Sequence, residues 1–198
     1  MEIIAATQNK HKISEINAIT SKLGMNVISR KDAGVPDFEI EENGITFEEN
    51  SYVKAKTILE YTGKPTIADD SGLEVDYLNG APGVYSARYA SVEGDNGDSA
   101  NNKKLLEELK DVPKEKRTGR FVSVITLVYP DGRKIVARGV CEGMIATEQM
   151  GDNGFGYDPL FIPDGYDQSY AQIGAEEKNR ISHRAKALEK LRELLDKE

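Results

Sequence analysis

Two pairs of adjacent carboxylates are the residues most suited to chemistry. Asp69 and Asp70 follow a short apolar run, and Glu41 and Glu42 lie in an acidic segment with glycine and proline. Mg²⁺ prefers oxygen ligands and typically takes one or two carboxylates together with substrate phosphates. A nearby carboxylate can then orient or deprotonate an attacking water. The pattern favours metal-assisted hydrolysis, although a turn at Asp69 to Gly72 and a solvated acidic loop would explain the same residues.

Basic and polar residues are concentrated in two segments. The first lies between a predicted strand and a predicted helix and consists of Thr7, Gln8, Asn9, Lys10, His11 and Lys12. Backbone N–H groups and the helix dipole favour an anion at such a junction, although a capped helix with solvated lysines is the simpler interpretation. The second segment contains Lys178, Arg180, His183 and Arg184, around the start of the last predicted helix. It is either a ligand-binding cluster or a solvated basic patch.

A glycine- and aromatic-rich segment is the fourth candidate. It reads Gly154-Phe155-Gly156-Tyr157-Asp158-Pro159. An aromatic ring between glycines can stack on a base, and glycine lets a ligand approach the backbone closely. The alternative is a tight turn with its aromatic side chains in the core. A dinucleotide-binding fingerprint is excluded, because Pro159 and a short strand follow instead of a helix.

The elements that must position these segments follow from periodicity and capping signals. Strands are predicted over residues 2–6, 25–28, 65–68, 120–129 and 133–144, with a short one before Pro163. The strand from Pro65 is expected to end at Asp69-Asp70-Ser71-Gly72. A helix should begin at Thr46, which forms a capping-box pattern with Glu49, and should end at Gly63. Further helices are predicted from Asn9 onwards, over residues 98–110, and from Ser182 with an apolar stripe of Leu188, Leu191 and Leu195. Pro130-Asp131-Gly132 predicts a hairpin, and the pattern as a whole predicts a mixed α/β sheet.

Composition limits the class of protein. The 198 residues suit a single domain of one or two lobes spanning 1–198, with 38% hydrophobic and 30% charged residues. The net charge of −8 disfavours nucleic acid as a partner, because nucleic-acid affinity depends on neutralising phosphates. The apolar runs are too short for a membrane span, and the lone Cys141 cannot form an internal disulfide. We therefore expect a cytoplasmic protein with no membrane partner.

Six ordered motifs resemble the inosine triphosphate pyrophosphatase family, in its branch of bacterial XTP/dITP diphosphatases. The motifs are Ala6-Thr7-Gln8-Asn9-Lys10-His11-Lys12, Thr46-Phe47-Glu48-Glu49-Asn50, Ile67-Ala68-Asp69-Asp70-Ser71-Gly72-Leu73, Gly80-Ala81-Pro82-Gly83-Val84-Tyr85-Ser86-Ala87-Arg88-Tyr89, Gly154-Phe155-Gly156-Tyr157-Asp158-Pro159 and Glu177-Lys178-Asn179-Arg180-Ile181-Ser182-His183-Arg184. The resemblance covers almost the whole chain in order. Gln8 departs from the family, where glycine is common, and its side chain would narrow the phosphate loop slightly.

The resemblance implies an α/β fold with an elongated mixed central β-sheet and helices forming two lobes around an active-site cleft. It implies a homodimer that hydrolyses ITP, dITP and XTP to the monophosphate and pyrophosphate with Mg²⁺. By the same resemblance, Glu41 and Asp70 bind the metal, Asp70 accepts a proton from water, and Asp69 supports it. Lys12 is the main cation for the triphosphate, held by residues 7–12, and Lys54 adds a second phosphate contact. The other substrate contacts that the resemblance implies are Ser71, Phe155, Gly156, Tyr157, Asp158, Lys178, His183 and Arg184.

Other functions are less consistent with the residues. A related pyrophosphatase for pyrimidine or other modified nucleotides would carry an early Ser-Pro-Arg-Arg-like loop, which is absent. The signatures of Nudix hydrolases and P-loop enzymes are also absent. A non-catalytic nucleotide sensor would not need the carboxylates Glu41, Asp69 and Asp70, all of which are present.

Overall fold

The structure is a computed structural model that describes residues 2–91 and 97–197, without the side chains of His11, Ile19 and Leu23. The strands are β1 (Glu2–Ala5), β2 (Asn26–Ser29), β3 (Thr66–Val75), β4 (Thr118–Val128), β5 (Lys134–Ile145) and β6 (Phe161–Pro163). The helices are α1 (Lys10–Thr20), α2 (Phe47–Thr62), α3 (Gly97–Glu108), α4 (Ala175–Ile181) and α5 (His183–Leu195). None of the described helices is long and apolar enough to cross a membrane.

The described strands form one mixed six-stranded sheet. Its order is β2-β1-β3-β4-β5-β6. β1 pairs in parallel with β2 and with β3, whereas β5 and β6 are antiparallel. Strands β4 and β5 meet at the predicted hairpin, where the N–H of Gly132 donates to the carbonyl of Tyr129. The predicted mixed α/β fold is confirmed.

The chain divides into two compact units. Unit 1 comprises the described residues up to Asp70, the segment Ser123–Gly139, and the described residues from His183 onwards. Unit 2 comprises the described residues of Ser71–Val122 together with Val140–Ser182. Strands β3, β4 and β5 each contribute residues to both units.

Unit 1 has an apolar cluster on each face of β1. Successive side chains of a strand point to opposite faces, so Ile3 and Ala5 join one cluster while Ile4 joins the other. Helices α1 and α5 pack on the first cluster and α2 packs on the second. The buried helix residues of these clusters include Ile16 of α1, Leu188 and Leu191 of α5, and Ala55 and Ile58 of α2. Burial on both faces explains why β1 reads as a continuous apolar run.

Unit 2 has its own core between β3, β4, β5, β6 and α3. Its centre is an aromatic cluster in which the ring of Phe121 lies 4.8 Å from that of Phe161 and 5.6 Å from that of Tyr170. Helix α3 contributes Leu105 to this core, which also contains Leu109 just beyond the helix. The segment after β5 that contains Tyr157 is thereby attached to the sheet.

The ends of α2 lie where its capping signals predict. The hydroxyl of Thr46 accepts a hydrogen bond from the N–H of Glu49 at 3.1 Å, and the carboxylate of Glu49 accepts one from Ile45 at 2.8 Å. Gly63 ends the helix with a φ of 65°, which favours glycine, and its N–H donates to Leu59 at 2.7 Å.

One prediction about an element is wrong, and one helix was not predicted. Strand β3 continues through Asp69 and Asp70 to Val75, so these carboxylates lie within a buried strand and the turn interpretation fails. The helix that was not predicted is α4, whereas Ser182 directly precedes α5, the position that its predicted capping of the last helix requires. The sequence signal for α4 is the acidic residues of its first turn and the basic residues of its last turn, which suit the helix dipole.

Candidate active site

Asp69 anchors a buried network in unit 1. Its Oδ1 accepts a hydrogen bond from the hydroxyl of Ser123 at 2.8 Å. Its Oδ2 accepts from Nε and Nη2 of Arg184, at 3.2 and 3.0 Å, and lies 3.1 Å from Nζ of Lys12. Burial alone would raise the pKa of Asp69, but the guanidinium of Arg184 and the ammonium of Lys12 outweigh it and hold that pKa well below its ordinary value. Asp69 is therefore a permanent anion.

Asp70 has a different environment, because adjacent residues of a strand face opposite ways. Its Oδ1 accepts a hydrogen bond of 2.7 Å from Lys54, which also donates to Glu42 at 3.0 Å. Its Oδ2 is buried and has no hydrogen-bond partner among the described residues. Burial raises the pKa of Asp70 to about 6, although Lys54 draws it down. A carboxyl group with such a pKa can accept a proton near neutral pH.

Lys54 connects the two carboxylate segments. Burial by itself would lower its pKa, but attraction to Asp70 and Glu42 outweighs burial and raises it. Lys54 therefore stays charged and compensates two carboxylates that would otherwise repel each other.

The predicted phosphate loop has the geometry of a helix start. The hydroxyl of Thr7 accepts from the N–H of Asn9 at 3.1 Å, and the side chain of Asn9 accepts from the N–H of Lys12 at 3.2 Å. Asn9 is thus the cap of α1, and Lys10 is exposed in the first turn. Gln8 is exposed and donates to Asp37 at 2.6 Å. The side chain of His11 lies outside the described part of the structure.

Lys12 of this loop lies in surroundings that favour binding of an anion. Its burial, together with the positive charges of Lys54 and Arg184, lowers its pKa. Asp69 opposes this effect and keeps the ammonium in place. Because the surroundings already disfavour its charge, Lys12 gains from a second negative partner such as a phosphate.

Arg184 lies inside the protein rather than at its surface. Only 2% of its side chain is exposed, and its guanidinium bonds Asp69 and also Glu15 of α1. Glu15 was not among the residues that the sequence singled out, although it is one helical turn from Lys12 and thus on the same face. His183, the preceding residue, is 5% exposed, and its carbonyl lies against Gly139 of β5.

The positions of the carboxylates bear on the predicted metal site. No group of three or more His, Cys, Asp or Glu side chains within residues 2–91 and 97–197 is arranged to hold an ion. The buried Oδ2 of Asp70 fits an oxygen-preferring metal whose other ligands come from phosphates and water. Glu42 is joined to Asp70 through Lys54, whereas Glu41 is exposed and accepts a hydrogen bond from Asn43 at 3.1 Å.

Phe155, Asp158 and Lys178 lie together in unit 2. Oδ2 of Asp158 accepts from the N–H of Phe155 at 3.0 Å and from Nζ of Lys178 at 2.7 Å. The same ammonium lies 4.8 Å from the centre of the Phe155 ring, a cation–π distance. Gly154, with a φ of +82°, leaves room for this carboxylate, because a Cβ there would lie 2.1 Å from Oδ2 of Asp158.

The remaining predicted substrate residues differ in accessibility. Tyr157 is buried in the core, where its hydroxyl donates to the carbonyl of Ser86 at 2.8 Å. Burial raises the pKa of Tyr157, so the hydroxyl stays neutral. Gly156 is half-buried and has a φ of +61°. Ser71 is half-buried and follows Asp70 in β3.

Comparison with known proteins assigns the chain to a family. The Ham1 family model matches residues 3–194. The chain belongs to the Ham1 family. This Ham1-family protein is 51% identical over 195 residues to a protein of Bacillus licheniformis named dITP/XTP pyrophosphatase, with 98% of each chain covered. A protein of Clostridium perfringens with the same name is 50% identical over 200 residues, covering 98% of this chain and 97% of that relative.

Solved structures of the family share the fold. The Ham1 protein of Staphylococcus aureus is 42% identical to this Ham1-family protein, with a TM-score of 0.87 over 100% of this chain and 99% of the other. A HAM1 protein of Coxiella burnetii is 40% identical, with a TM-score of 0.88 over the full length of both chains. The family resemblance carried by the sequence motifs is confirmed.

Proposed function

We propose that this protein hydrolyses the non-standard purine nucleotides ITP, dITP and XTP to the monophosphate and pyrophosphate. The observation that carries the proposal is Asp70, a buried carboxyl group with a pKa of about 6, one oxygen held by Lys54 and the other without a described partner. Relatives that are half identical over nearly the whole chain are named dITP/XTP pyrophosphatases, which supports the same reaction.

The triphosphate is assigned to the residues of unit 1. Lys12 contacts the phosphates while it stays paired with Asp69, and the N–H groups at the start of α1 add donors. Asp70, with Glu41 or Glu42, is assigned to Mg²⁺, which would neutralise phosphate charge and polarise the phosphoryl group. Arg184 is proposed to position Asp69, because both ends of its guanidinium are already engaged.

Asp70 is assigned the proton transfer. A water molecule forms a bond to the α-phosphorus, and the bond from that phosphorus to the oxygen shared with the β-phosphate breaks. The water proton passes to Asp70, and pyrophosphate leaves with the bridging oxygen. Lys54 holds the carboxylate of Asp70 in one orientation during the transfer.

The base is assigned to Phe155, which offers a ring for stacking. Stacking does not distinguish one base from another, so recognition of the 6-oxo edge requires donors such as Lys178 or His183. Adenine carries an amino group at that position and would leave such donors unpaired, at about 1–3 kcal/mol for each. GTP shares the 6-oxo group, and its rejection must come from the 2-amino position.

Assays with ITP test the proposal. The purified protein is incubated with ITP and Mg²⁺, and pyrophosphate is distinguished from orthophosphate. We expect inosine monophosphate and pyrophosphate in equal amounts, little turnover of ATP, and no turnover after EDTA is added. Release of orthophosphate, or equal rates for ITP and ATP, would rule out the proposed reaction.

Two neighbouring glutamates allow the metal assignment to be refined. Glu41→Gln and Glu42→Gln are each titrated with Mg²⁺ in the ITP assay. The variant that loses a metal ligand should need more Mg²⁺ for half-maximal rate, whereas loss of a Lys54 partner alone should leave this concentration unchanged. Unchanged Mg²⁺ dependence in both variants would remove both residues from the metal assignment.

The proposal extends to assembly and location. We expect a homodimer, in which case light scattering should give twice the chain mass of 21.9 kDa. We also expect a cytoplasmic protein that acts on free nucleotides rather than on nucleic acid. A monomer in solution, or binding of oligonucleotides at physiological salt, would contradict these parts of the proposal.

A further inference from the structure

Two side chains of α3 hold the backbone of the Phe155 turn in unit 2. The carboxylate of Asp98 accepts a hydrogen bond from the N–H of Gly156 at 2.6 Å. Nδ2 of Asn102 donates to the carbonyl of the same glycine at 3.0 Å. Asp98 and Asn102 are four residues apart and therefore lie on the same face of the helix. Both peptide groups that flank Gly156 are thus fixed from one helix.

These contacts determine the orientation of Phe155. The peptide group between Phe155 and Gly156 is one side of the Phe155 backbone, and Asp98 fixes it. The other side is the N–H of Phe155, which Asp158 accepts at 3.0 Å. With both flanking peptide groups held, the ring retains only its side-chain rotations, and the nearby ammonium of Lys178 limits these further.

The turn needs this external support because of its glycines. Gly154 and Gly156 have φ values of +82° and +61°, and glycine is the residue with the greatest backbone freedom. A turn with two glycines is weakly specified by its own sequence. Its conformation must therefore be imposed by side chains from elsewhere in the unit.

Packing alone does not explain why a polar residue is buried at position 102. The residue is 3% exposed, and its Oδ1 is buried with no hydrogen-bond partner among the described residues. A buried acceptor without a partner is destabilising. An apolar residue would avoid this cost but could not donate to the carbonyl of Gly156.

We propose that Asp98 and Asn102 are positioning residues for nucleotide-base binding, acting through Gly156 to hold the ring of Phe155 ready for stacking. The inference rests on the proposed function, in which Phe155 stacks on the purine. A ring that is already held in place loses less conformational entropy on binding. This smaller entropy loss stabilises the bound substrate and the transition state equally. It therefore lowers KM and leaves kcat unchanged.

A ligand with the base and a ligand without it distinguish a role in base binding from a general effect on protein stability. Dissociation constants for inosine monophosphate and for pyrophosphate are measured by calorimetry in Mg²⁺ buffer, alongside KM and kcat for ITP. Asp98→Ala should weaken inosine monophosphate and raise KM by about 5- to 30-fold, the effect of losing most of one charged hydrogen bond. Pyrophosphate affinity and kcat should change less than about twofold, because uniform binding is lost rather than transition-state binding.

Three further variants serve as comparisons. Asp98→Asn keeps an acceptor for Gly156 and should recover most of the affinity. Glu107→Ala removes an exposed carboxylate of the same helix that is paired only loosely with Lys110, and should behave as wild type. Asn102→Asp keeps the size but places an acceptor against the carbonyl of Gly156, and should weaken inosine monophosphate at least as much as Asp98→Ala.

The outcomes distinguish the inference from the proposed function. Equal weakening of both ligands, or a fall in kcat with KM unchanged, would overturn the positioning role. Wild-type protein that binds inosine monophosphate but does not hydrolyse ITP would overturn the proposed reaction, while the calorimetric comparison would still decide the positioning role. Wild-type protein that does not bind inosine monophosphate would overturn both.

Discussion

At the scale of single residues, Asp69 and Asp70 show that environment rather than residue type decides chemistry. Both are buried carboxyl groups in one strand, and their side chains contact different cations. Two cations and a hydroxyl hold Asp69 as an anion, whereas Asp70 is bonded to Lys54 and has a raised pKa. The first suits a fixed electrostatic anchor and the second suits an acceptor of protons.

The activity of Asp70 is testable by a substitution of equal size. Asp70→Asn removes charge and basicity, so kcat for ITP should fall by at least about 100-fold, the lower range of general-base contributions. Steady-state kinetics measure the effect, and circular dichroism checks the fold. Asp131→Asn, in the exposed β4–β5 hairpin, is the matched control and should keep full activity. Near-normal turnover of Asp70→Asn would assign the proton transfer to another residue.

Substitution of Asp69 should lower the free energy of unfolding. Asp69→Asn removes one of the carboxylates that the buried guanidinium of Arg184 bonds, and breaking a buried ion pair costs about 3–5 kcal/mol. Urea denaturation gives the free energy of unfolding. Ser123→Ala removes one hydrogen bond to the same carboxylate and should cost only about 1 kcal/mol. Equal, small losses in both variants would show that Asp69 does not hold this network together.

At the scale of elements, helix α5 is brought to the sheet by close backbone contact. It begins at His183 and Arg184 and packs on β5 at Gly139. A Cβ at Gly139 would lie 2.1 Å from the carbonyl oxygen of His183 and 2.2 Å from the nitrogen of Ala187. The absence of a side chain at this one position therefore allows Arg184 to lie near enough to bond Asp69.

Gly139→Ala tests this dependence. The added methyl group meets backbone atoms that cannot rotate away, so α5 must shift, at a cost of about 1–3 kcal/mol in the free energy of unfolding. Displacement of Arg184 should also lower kcat/KM for ITP. Gly174→Ala provides the control, because nothing lies within 4 Å of its Cβ position and its φ is −64°. It should change the free energy of unfolding by less than about 1 kcal/mol, since a weaker helix cap and a less flexible unfolded chain oppose each other. A stability of Gly139→Ala equal to that of the control would contradict the close contact.

At the scale of the whole molecule, an acidic chain must bind an anionic substrate. The net charge is −8, so general electrostatic attraction cannot supply the affinity. The cations of the unit 1 site are instead concentrated and already paired with carboxylates, as Lys12 with Asp69 and Lys54 with Asp70. Binding a triphosphate therefore requires additional positive charge, which is the physical reason to expect a metal requirement.

Ligand binding should be visible as a change in the stability of the whole chain. A non-hydrolysable ITP analogue at 100 times its Kd, with Mg²⁺, should stabilise the folded state by about 2.7 kcal/mol. For a chain of this size, that corresponds to a rise in Tm of roughly 5–10 °C. Differential scanning fluorimetry measures it, with the ATP analogue at the same concentration as control. An equal rise with the ATP analogue would indicate that the base is not distinguished on binding.

The sequence by itself determined the local elements and the family. The ends of α2, capped by Thr46 and Gly63, and the hairpin at Pro130 depend on contacts within a few residues, so a short stretch of sequence is enough to predict them. The apolar stripe of α5 is another case, since its period shows directly which face is buried. The ordered motifs then identified the family, and with it the group of residues to which the site is assigned.

Only the tertiary structure decided which charges meet. Asp69 and Arg184 are 115 positions apart, so no local pattern indicates that they bond, and the same holds for Glu15 and Arg184. The continuation of β3 through Asp69 and Asp70 could not be predicted from the sequence for a related reason. Their local sequence favours a turn, and long-range partners stabilise buried carboxylates within a strand. Tertiary contacts thus override local preference where the chemistry is assigned, because distant cations offset the cost of burying charge.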